Sequence, residues 1–207
     1  MGLYNDRIMP RLVSCACASK AFRKQRAAVV PQARGRVLEV GSGSGLNFRH
    51  YDPSCVEELV AVEPDPRMMG WARQAGAEAP ALRIDYRTGT LETTTIEDHS
   101  IDTAVFTFVL CTIPDWRRTL AELRRVMRPG GQVLFCEHGL APDADVVRWQ
   151  HRIDGLWQRL VGGCHLTRSA PAQLAEAGFR VTELDAAYLP KTPRVVGYLS
   201  RGVAVLP

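Results

Sequence analysis

The sequence predicts an α/β fold in which a mainly parallel sheet carries a ligand site at one edge. Apolar runs that suit buried strands occur at residues 37–40, 58–63 and 101–108, and each is followed by a loop and a segment with helical spacing. Strands that alternate with helices need right-handed crossovers, which place ligands at the carboxyl edge of the sheet. A chain of 207 residues is long enough for one such domain and rather short for two. We therefore expect a single domain over residues 1–207.

The first predicted strand runs into a glycine-rich loop at residues 37–45, VLEVGSGSG. Glycine occupies positions 41, 43 and 45, and Glu39 lies two residues before the first of them. Glycine lets the backbone turn sharply and approach a ligand with no Cβ in the way. A dinucleotide fold needs G-x-G-x-x-G, whereas here the third glycine comes one residue early and Leu46 takes the last place of that pattern. The loop indicates a nucleotide-type cofactor other than a dinucleotide, with a purely structural turn as the alternative.

An acidic residue, Glu63, ends the second predicted strand. It is followed by Pro64, Asp65 and a helical pattern over residues 66–75. A carboxylate in this place, about 20 residues past the glycine loop, accepts hydrogen bonds from both ribose hydroxyls of an adenosine. The alternative is a solvated turn carboxylate. The order of strand, acid, proline and helix favours the ribose site.

The rest of the chain continues the alternation of strands and helices. Asp115 suits the N-cap of a helix whose apolar residues share one face, and this helix is predicted to stop in a turn at residues 128–131. The strand that follows brings His138 to the carboxyl edge of the sheet. Further strands are predicted at 81–88, 132–137, 180–187 and 195–203. Further helices are predicted at 46–51, 143–160 and 168–177, and at 3–30 in two pieces, the first of which is interrupted at Pro10.

Charge and cysteine content exclude several classes of function. The net charge of +4 is small and the basic residues are scattered among acids, so no nucleic-acid partner is expected. The six cysteines form no C-x-x-C pair and have no matching histidine spacing, which predicts reduced thiols and no metal site. The sequence shows neither a signal peptide nor an apolar run of about 18 residues. We expect a cytoplasmic protein without a transmembrane segment, and peripheral membrane contact through Ile8, Leu12 and Val13 stays open.

Four sequence landmarks characterise the core. They are EVGSGSG at 39–45, VEPD at 62–65, IDTAVF at 101–106 and LRRVMRPGG at 123–131. Together they resemble the class I S-adenosylmethionine (SAM) methyltransferases of the ubiquinone/menaquinone type over residues 36–140. The resemblance implies a Rossmann-like sandwich with a mostly parallel seven-stranded sheet, an antiparallel last strand and helices on both faces. It also implies N-terminal lid helices at 1–30, a cofactor-binding core at 36–140, and acceptor-side helices with a closing hairpin at 141–207.

The resemblance further implies which residues contact SAM. The predicted set is Glu39, Gly41, Ser42, Gly43, Gly45, Glu63, Pro64, Met68, Gly89, Thr90, Leu91, Thr107 and Phe108. Many relatives carry an acid directly after the glycine of the third strand, where it contacts the adenine amino group. This sequence has Thr90 there, so we expect the threonine hydroxyl or its backbone in that role. In the lid, Tyr4 and Arg7 are candidate contacts, with ordinary packing as the alternative.

The second half of the chain resembles a narrower group. The segments LCTIPD at 110–115, CEH at 136–138 and RWQHRIDGLWQRLVGGCHLTR at 148–168 are similar to the thiol S-methyltransferases of animals and their bacterial relatives. This resemblance implies a small apolar or thiol-bearing acceptor. The animal proteins carry an N-terminal membrane anchor that is not seen here, so their membrane association and lipophilic substrates are not transferred. A phospholipid amine or a quinone-ring carbon is the alternative acceptor, and a SAM-binding protein without turnover is the alternative class.

The chemistry asks little of the protein. Methyl transfer from SAM needs an acceptor held in line with the sulfonium methyl, and a thiol acceptor must lose its proton. His138 is the first candidate for a general base because it follows the fifth strand at the ligand edge. His165 is the second. The alternative for both is a hydrogen-bonded structural histidine.

Four other side chains of the acceptor half keep two interpretations. Trp149 and Trp157 are predicted either to line an apolar acceptor pocket or, given their helical spacing, to belong to the core. Cys111 and Cys164 are equally ambiguous. No N-P-P-Y-like sequence follows the fourth strand, which argues against a nucleobase or glutamine amide nitrogen as acceptor. The sequence predicts no oligomeric state.

Overall fold

The computed structural model of the protein describes residues 17–207, and its centre is one sheet of seven strands. In chain order these are β1 (Gly35–Val40), β2 (Val56–Glu63), β3 (Ile84–Thr88), β4 (Ile101–Thr107), β5 (Met127–His138), β6 (Arg180–Tyr188) and β7 (Tyr198–Val205). They lie side by side in the order β3-β2-β1-β4-β5-β7-β6. β7 runs antiparallel to both of its neighbours, and the other strand pairs are parallel. This arrangement confirms the predicted sheet with an antiparallel last strand.

Six α-helices accompany the sheet in the described residues, and two of them begin at an aspartate that caps them. The six helices are α1 (Lys20–Val29), α2 (Pro66–Ala77), α3 (Trp116–Val126), α4 (Ala144–Leu160), α5 (Ala170–Glu176) and α6 (Arg194–Gly197). The Asp65 side chain accepts a hydrogen bond from the backbone N–H of Arg67 and so caps α2, whose first residue is Pro66. Asp115 caps α3 in the same way through the N–H of Arg118. Both caps follow strands at the carboxyl edge of the sheet, so they also fix loops that surround the site.

Helices cover both faces of the sheet, and each face has its own buried cluster. Successive residues of β1 divide between the two, with Val37 in one cluster and Leu38 in the other. Leu120 of α3 and Leu174 of α5 share the cluster of Leu38, whereas Met69 of α2 belongs to that of Val37. Because both faces are buried, the central strands have continuous apolar sequences rather than alternating ones.

Some predicted boundaries differ from the structure. Residues 128–131, predicted as a turn, belong to β5, because Gly130 and Gly131 exchange backbone hydrogen bonds with Leu206 just past β7. The strand predicted at 195–203 begins only at Tyr198, since α6 precedes it. Three smaller differences remain. β3 begins at Ile84 rather than at 81, and α5 begins at Ala170 rather than at 168. The helix predicted at 46–51 is a single 3-10 turn, Phe48–His50.

The predicted N-terminal lid is described only from residue 17 onward. α1 corresponds to the second predicted helical piece, and its Val29 is buried in the same cluster as Val37 of β1. The first piece lies outside the described residues, together with Tyr4, Arg7, Ile8, Leu12 and Val13. Between residues 17 and 207 no helix is both long and apolar enough to cross a membrane. The division into lid, core and acceptor side stays a prediction.

Candidate active site

A cavity of about 730 Å³ opens at the carboxyl edge of the sheet. Its walls come from the loops after β1, β2, β3 and β4, from α1 and from the turn after α4. A volume of this size is typical of small-molecule and cofactor sites. The predicted cofactor residues on the wall are Gly41, Ser42, Gly43, Glu63, Pro64, Met68, Gly89, Thr90, Leu91, Thr107 and Phe108. The predicted residues Glu39 and Gly45 are not on it.

The loop after β1 is shaped by close packing against its neighbours. Gly41 has φ +68°, and a Cβ at this position would come within 2.3 Å of a methyl carbon of Val109. The N–H groups of Gly41 and Ser42 both donate to the carbonyl of Val62, at 2.9 and 3.0 Å, which ties the loop to β2. Position 41 therefore requires glycine for two reasons, its left-handed backbone and its close approach to the loop after β4.

Glu63 ends β2 on the cavity wall and is 8% exposed. Its two carboxylate oxygens accept hydrogen bonds from the backbone N–H groups of Gly43 and Asp65, each at 2.9 Å. Burial raises the pKa of Glu63, and these two hydrogen bonds oppose the rise. Each carboxylate oxygen can accept a further hydrogen bond. The side chain can therefore hold the glycine loop and still accept hydrogen bonds from a diol in the cavity.

Glu39 and Gly45 support the loop from behind. The Glu39 carboxylate, 2% exposed, accepts hydrogen bonds from Asn47 Nδ2 at 3.0 Å and from the Tyr51 hydroxyl at 2.8 Å. Burial raises the pKa of Glu39 to about 7. Asn47 Nδ2 also lies 2.9 Å from the hydroxyl of Thr107, at the end of β4. The structure thus gives Glu39 a positioning contact, and Gly45, with φ +77°, packs where a Cβ would meet an aromatic ring.

The loop after β3 forms another part of the wall. Thr90 precedes a 3-10 turn, and its backbone N–H donates to the Thr93 hydroxyl at 2.9 Å, so this N–H is used within the turn. Glu92 also lies on the wall, two residues beyond the place where an acid was missing. Burial alone would raise the pKa of its carboxyl, but hydrogen bonds from Thr119 and Thr90 lower it. Glu92 is therefore an acid of this loop, displaced along the chain from the expected position.

Phe108 directly follows β4 and has an unusual backbone conformation, with φ +59°. Bulky residues avoid positive φ, and backbone strain of this kind is concentrated at functional sites. The centre of its ring lies 4.8 Å from that of Phe22 and 5.6 Å from that of His138. The guanidinium of Arg26 lies 4.8 Å from the same centre. The strained turn thus brings the ring onto the cavity wall, where α1 packs against it.

The loop after β4, residues 108–114, is held between two charged side chains. Glu137 has no exposed surface and accepts hydrogen bonds from the backbone N–H groups of residues 109–111, at 2.9, 3.0 and 3.2 Å. Arg168 donates to the carbonyls of residues 110, 111 and 113 at 2.6 to 3.3 Å. Burial raises the pKa of Glu137 against the effect of its three N–H donors. The two side chains fix the backbone of a loop that lines the cavity.

Two buried thiols meet at this loop: Cys111 belongs to it, and Cys164 follows α4. The sulfur atoms of Cys111 and Cys164 are 3.5 Å apart, and Cys164 Sγ is 4.0 Å from His138 Nδ1. The hydrogen bond with Cys164, burial and the charge of Glu137 raise the pKa of Cys111. The hydrogen bond with Cys111 lowers the pKa of Cys164 to about 5 against the effect of burial, and His138 contributes in the same direction. Neither Cys111 nor Cys164 is on the cavity wall.

Neither of the two predicted histidine bases lies on the cavity wall. His138 ends β5 with its ring against Phe108, which does face the cavity. His165 Nδ1 is 3.3 Å from Asp154, a carboxylate that also accepts a hydrogen bond from the N–H of Leu166 at 2.7 Å. His165 thus belongs to the turn that follows α4, whereas His138 is one aromatic ring away from the cavity.

The wall also contains residues that the sequence analysis did not select as site residues. Examples are Cys17, Arg26, Asn47, Glu92, Val109, Thr112, Arg118, Val161 and Gly162. Trp149 and Trp157, the two predicted pocket or core residues, are not on the wall, and Trp149 is 54% exposed on α4. An acid close to the expected position was the available signal for Glu92. The residues from α1 and from the turn after α4 had no such signal, because only the folded chain brings them to the cavity.

The fold and the site together define a class of enzyme. A seven-stranded sheet with an antiparallel last strand, a glycine loop after β1 and a buried acid after β2 around one cavity are the features of a SAM-dependent methyltransferase. Comparison with known proteins gives the same class. The family model Methyltransf_11, a methyltransferase domain, matches residues 38–135. The crystal structure of the YcgJ protein of Bacillus subtilis shares the fold, with a TM-score of 0.71 at 14% identity over 88% of this chain and 98% of that chain.

Curated relatives narrow the assignment. The human thiol S-methyltransferase TMT1A is 32% identical over 81% of this chain and 71% of its own length. The rat thiol S-methyltransferase TMT1B is 31% identical over 78% of this chain and 68% of its own length. The chain belongs to the family of SAM-dependent methyltransferases that includes these two proteins, and its cofactor is SAM.

Proposed function

We propose that the protein transfers the methyl group of SAM to the thiol of a small, largely apolar acceptor. The observation that carries this proposal is the composition of the cavity wall. Beyond the cofactor motifs, the wall includes Thr112 and Ile113 from the loop after β4 and Val161 and Gly162 from the turn after α4. These are the segments that resemble the thiol S-methyltransferases. The similarity therefore extends to the part of the site where an acceptor would bind.

The residues on the wall fit SAM as the methyl donor. Glu63 has unused hydrogen-bonding capacity toward the cavity and is the proposed partner of the ribose hydroxyls. The glycine loop lets backbone groups of residues 41–43 approach the methionine part without a Cβ between them. Leu91 and Thr90 are proposed beside the adenine, with Glu92 as a further polar partner. When bound, SAM supplies an activated methyl group, and the protein's part is to hold and align the two reactants.

The acceptor proton is the remaining chemical question. His138 is the proposed base, since its ring packs against Phe108 on the cavity wall and its Nδ1 lies 4.0 Å from Cys164 Sγ. A general base must come within hydrogen-bond distance of the proton that it removes, directly or through one water. His138 therefore requires a water or a rotation of Phe108 to reach an acceptor. His165 is held by Asp154 and is the weaker candidate.

A transfer assay with labelled SAM tests the proposed acceptor. We expect label to move to an alkyl thiol or to hydrogen sulfide. The alcohol of the same chain length as the alkyl thiol should receive none, because it is similar in size but does not lose its proton near neutral pH. Transfer to phosphatidylethanolamine or to a demethylated quinone alone would contradict the thiol assignment. Gly41→Ala serves as the inactive control, because its Cβ would collide with Val109. If His138 is the base, His138→Gln should lower the rate with the thiol and flatten its pH dependence between pH 6 and 9.

The compartment is part of the same proposal. The five cysteines of the described residues carry free thiols. Free thiols are typical of proteins in a reducing compartment, and this supports a cytoplasmic location.

A further inference from the structure

Arg26 is a buried cation on the cavity wall. It lies on α1 and is 5% exposed. Its Nη1 donates to the carbonyl of Cys17 at 2.7 Å, and its guanidinium lies 4.8 Å from the centre of the Phe108 ring. Its Nε has no hydrogen-bond partner, and none of the ion pairs among residues 17–207 includes it. Among residues 17–207, this buried positive charge has no ion-pair partner.

Such a charge is costly unless something compensates it. A buried ion needs a partner of opposite charge or a full set of hydrogen bonds. Arginine cannot lose its proton in a protein, so Arg26 cannot neutralise itself. One carbonyl, the Cys17 thiol and one ring face use only part of its five N–H donors, and the Nε–H has no partner. A planar guanidinium matches a carboxylate through two parallel hydrogen bonds. The chemistry of Arg26 therefore indicates an anionic group of a ligand in the cavity.

The protein's own acid in this region does not serve as that partner. The positive charge of Arg26 lowers the pKa of Glu39, so the two groups influence each other. Among residues 17–207, however, no hydrogen bond or ion pair joins the two side chains: the Glu39 oxygens accept from Asn47 and Tyr51, and Glu39 is not on the cavity wall. Arg26 keeps unused donors after this interaction has been counted.

The two ends of SAM carry different groups, and this decides where Arg26 acts. The adenosine end needs partners for ribose and adenine, which the loops after β2 and β3 provide. The methionine end carries a carboxylate. Arg26 contacts Phe108 at the end of β4, on the opposite side of β1 from β2 in the sheet. We propose that Arg26 binds the methionine carboxylate of SAM and thereby positions the methyl donor from α1.

Isothermal titration calorimetry with two ligands tests this role. SAM has the carboxylate, whereas 5′-methylthioadenosine keeps the adenosine and the sulfur and lacks the amino acid part. Arg26→Gln is expected to weaken SAM binding roughly 10- to 100-fold, as the loss of hydrogen bonds to a charged group does, and to change 5′-methylthioadenosine binding by less than about twofold. Arg26→Lys keeps the charge and should lose less affinity for SAM. Arg23→Gln, which removes an exposed charge from the same helix, should leave both affinities unchanged.

Two results would overturn the proposal. One is an unchanged affinity of Arg26→Gln for SAM, and the other is an equal loss for both ligands. Thermal unfolding of the ligand-free variants shows whether a loss comes from folding. Because Arg26 is an uncompensated buried charge, Arg26→Gln should leave the melting temperature unchanged or raise it. A clear drop together with equal loss of both ligands would assign Arg26 to folding alone. None of these measurements uses a methyl acceptor, so they are independent of the thiol proposal.

Discussion

Two corners of the site, the end of β2 and the end of β5, each hold a loop with one buried glutamate. Glu63 accepts hydrogen bonds from the N–H groups of Gly43 and Asp65, and Glu137 from those of residues 109–111. Glu63 keeps 8% of its surface exposed and lies on the cavity wall, whereas Glu137 is fully buried and does not. One carboxylate therefore holds a loop and also faces the ligand, while the other only holds a loop.

This difference separates two effects of removing a buried acid. The protein itself supplies all of the hydrogen-bond donors that contact Glu137, so its loss leaves buried backbone N–H groups without partners. Glu63 has capacity left over toward the cavity, so its loss also removes a partner from the ligand. We therefore expect substitution of Glu137 to act mainly on folding and substitution of Glu63 to act mainly on binding.

The largest expected effect is that of Glu137→Ala on stability. Three N–H groups lose their acceptor, and these unsatisfied groups should lower the free energy of unfolding by about 3–5 kcal/mol. Glu137→Gln keeps the shape and one acceptor oxygen and should cost about 1–3 kcal/mol. Urea unfolding measures both values.

The control for this measurement is Glu97→Gln, because the Glu97 side chain is 87% exposed. Its effect should stay within about 0.5 kcal/mol. If Glu137→Ala and Glu97→Gln were equally stable, the loop after β4 would not depend on the carboxylate, and the contrast between the two corners would fail.

The same contrast explains which parts of the site could be predicted from sequence. Glu63 belongs to a local pattern of strand, acid, proline and helix cap, all within a few residues. Glu137 contacts N–H groups 26 to 28 positions away, which only the pairing of β4 with β5 brings close. His138, which directly follows Glu137, was predicted as a site residue because of its position at the edge of the sheet. Side chains that act through such long-range contacts leave no local signal.

The fold and the element boundaries also divide into features that a local sequence pattern predicts and features that depend on long-range contacts. The mainly parallel sheet was predicted from alternating strands and helices, and the structure confirms it. The turn predicted at residues 128–131 was wrong because the glycines there pair with the residue after β7, which is distant in sequence. Arg26 was missed because α1 has an ordinary amphipathic pattern, and its approach to Phe108 depends on how the helix packs.

The second prediction concerns Glu63 and sharpens the comparison with Arg26. Glu63→Ala should weaken SAM binding roughly 10- to 100-fold through the loss of charge-assisted hydrogen bonds to the ribose. 5′-Methylthioadenosine keeps the ribose, so calorimetry should show a similar loss for both ligands, unlike Arg26→Gln. Glu57→Gln, which changes an exposed acid near the start of β2, is the control. Unchanged affinity of Glu63→Ala for both ligands would remove Glu63 from the ribose role.

The smallest expected effect belongs to Glu39, the buried acid at the end of β1, and it appears as a pH dependence. Burial raises the pKa of Glu39 from 4.5 to about 7, so between these values the folded protein binds more protons than the unfolded chain. Its contribution therefore makes the free energy of unfolding fall as pH rises from about 4.5 to about 7, by on the order of 1–3 kcal/mol, and level off above that.

Glu39→Gln isolates this contribution. The amide oxygen can accept from Asn47 and the amide nitrogen can donate to the Tyr51 hydroxyl oxygen, so the variant keeps both contacts without a titrating group. Urea unfolding between pH 5 and 8 should show a shallower decline for Glu39→Gln than for the unmodified protein, with the variant relatively more stable at pH 8 than at pH 5. Parallel profiles would mean that Glu39 is ionised throughout. In that case Glu39 would resemble Glu63 and Glu137 in holding its loop as a carboxylate.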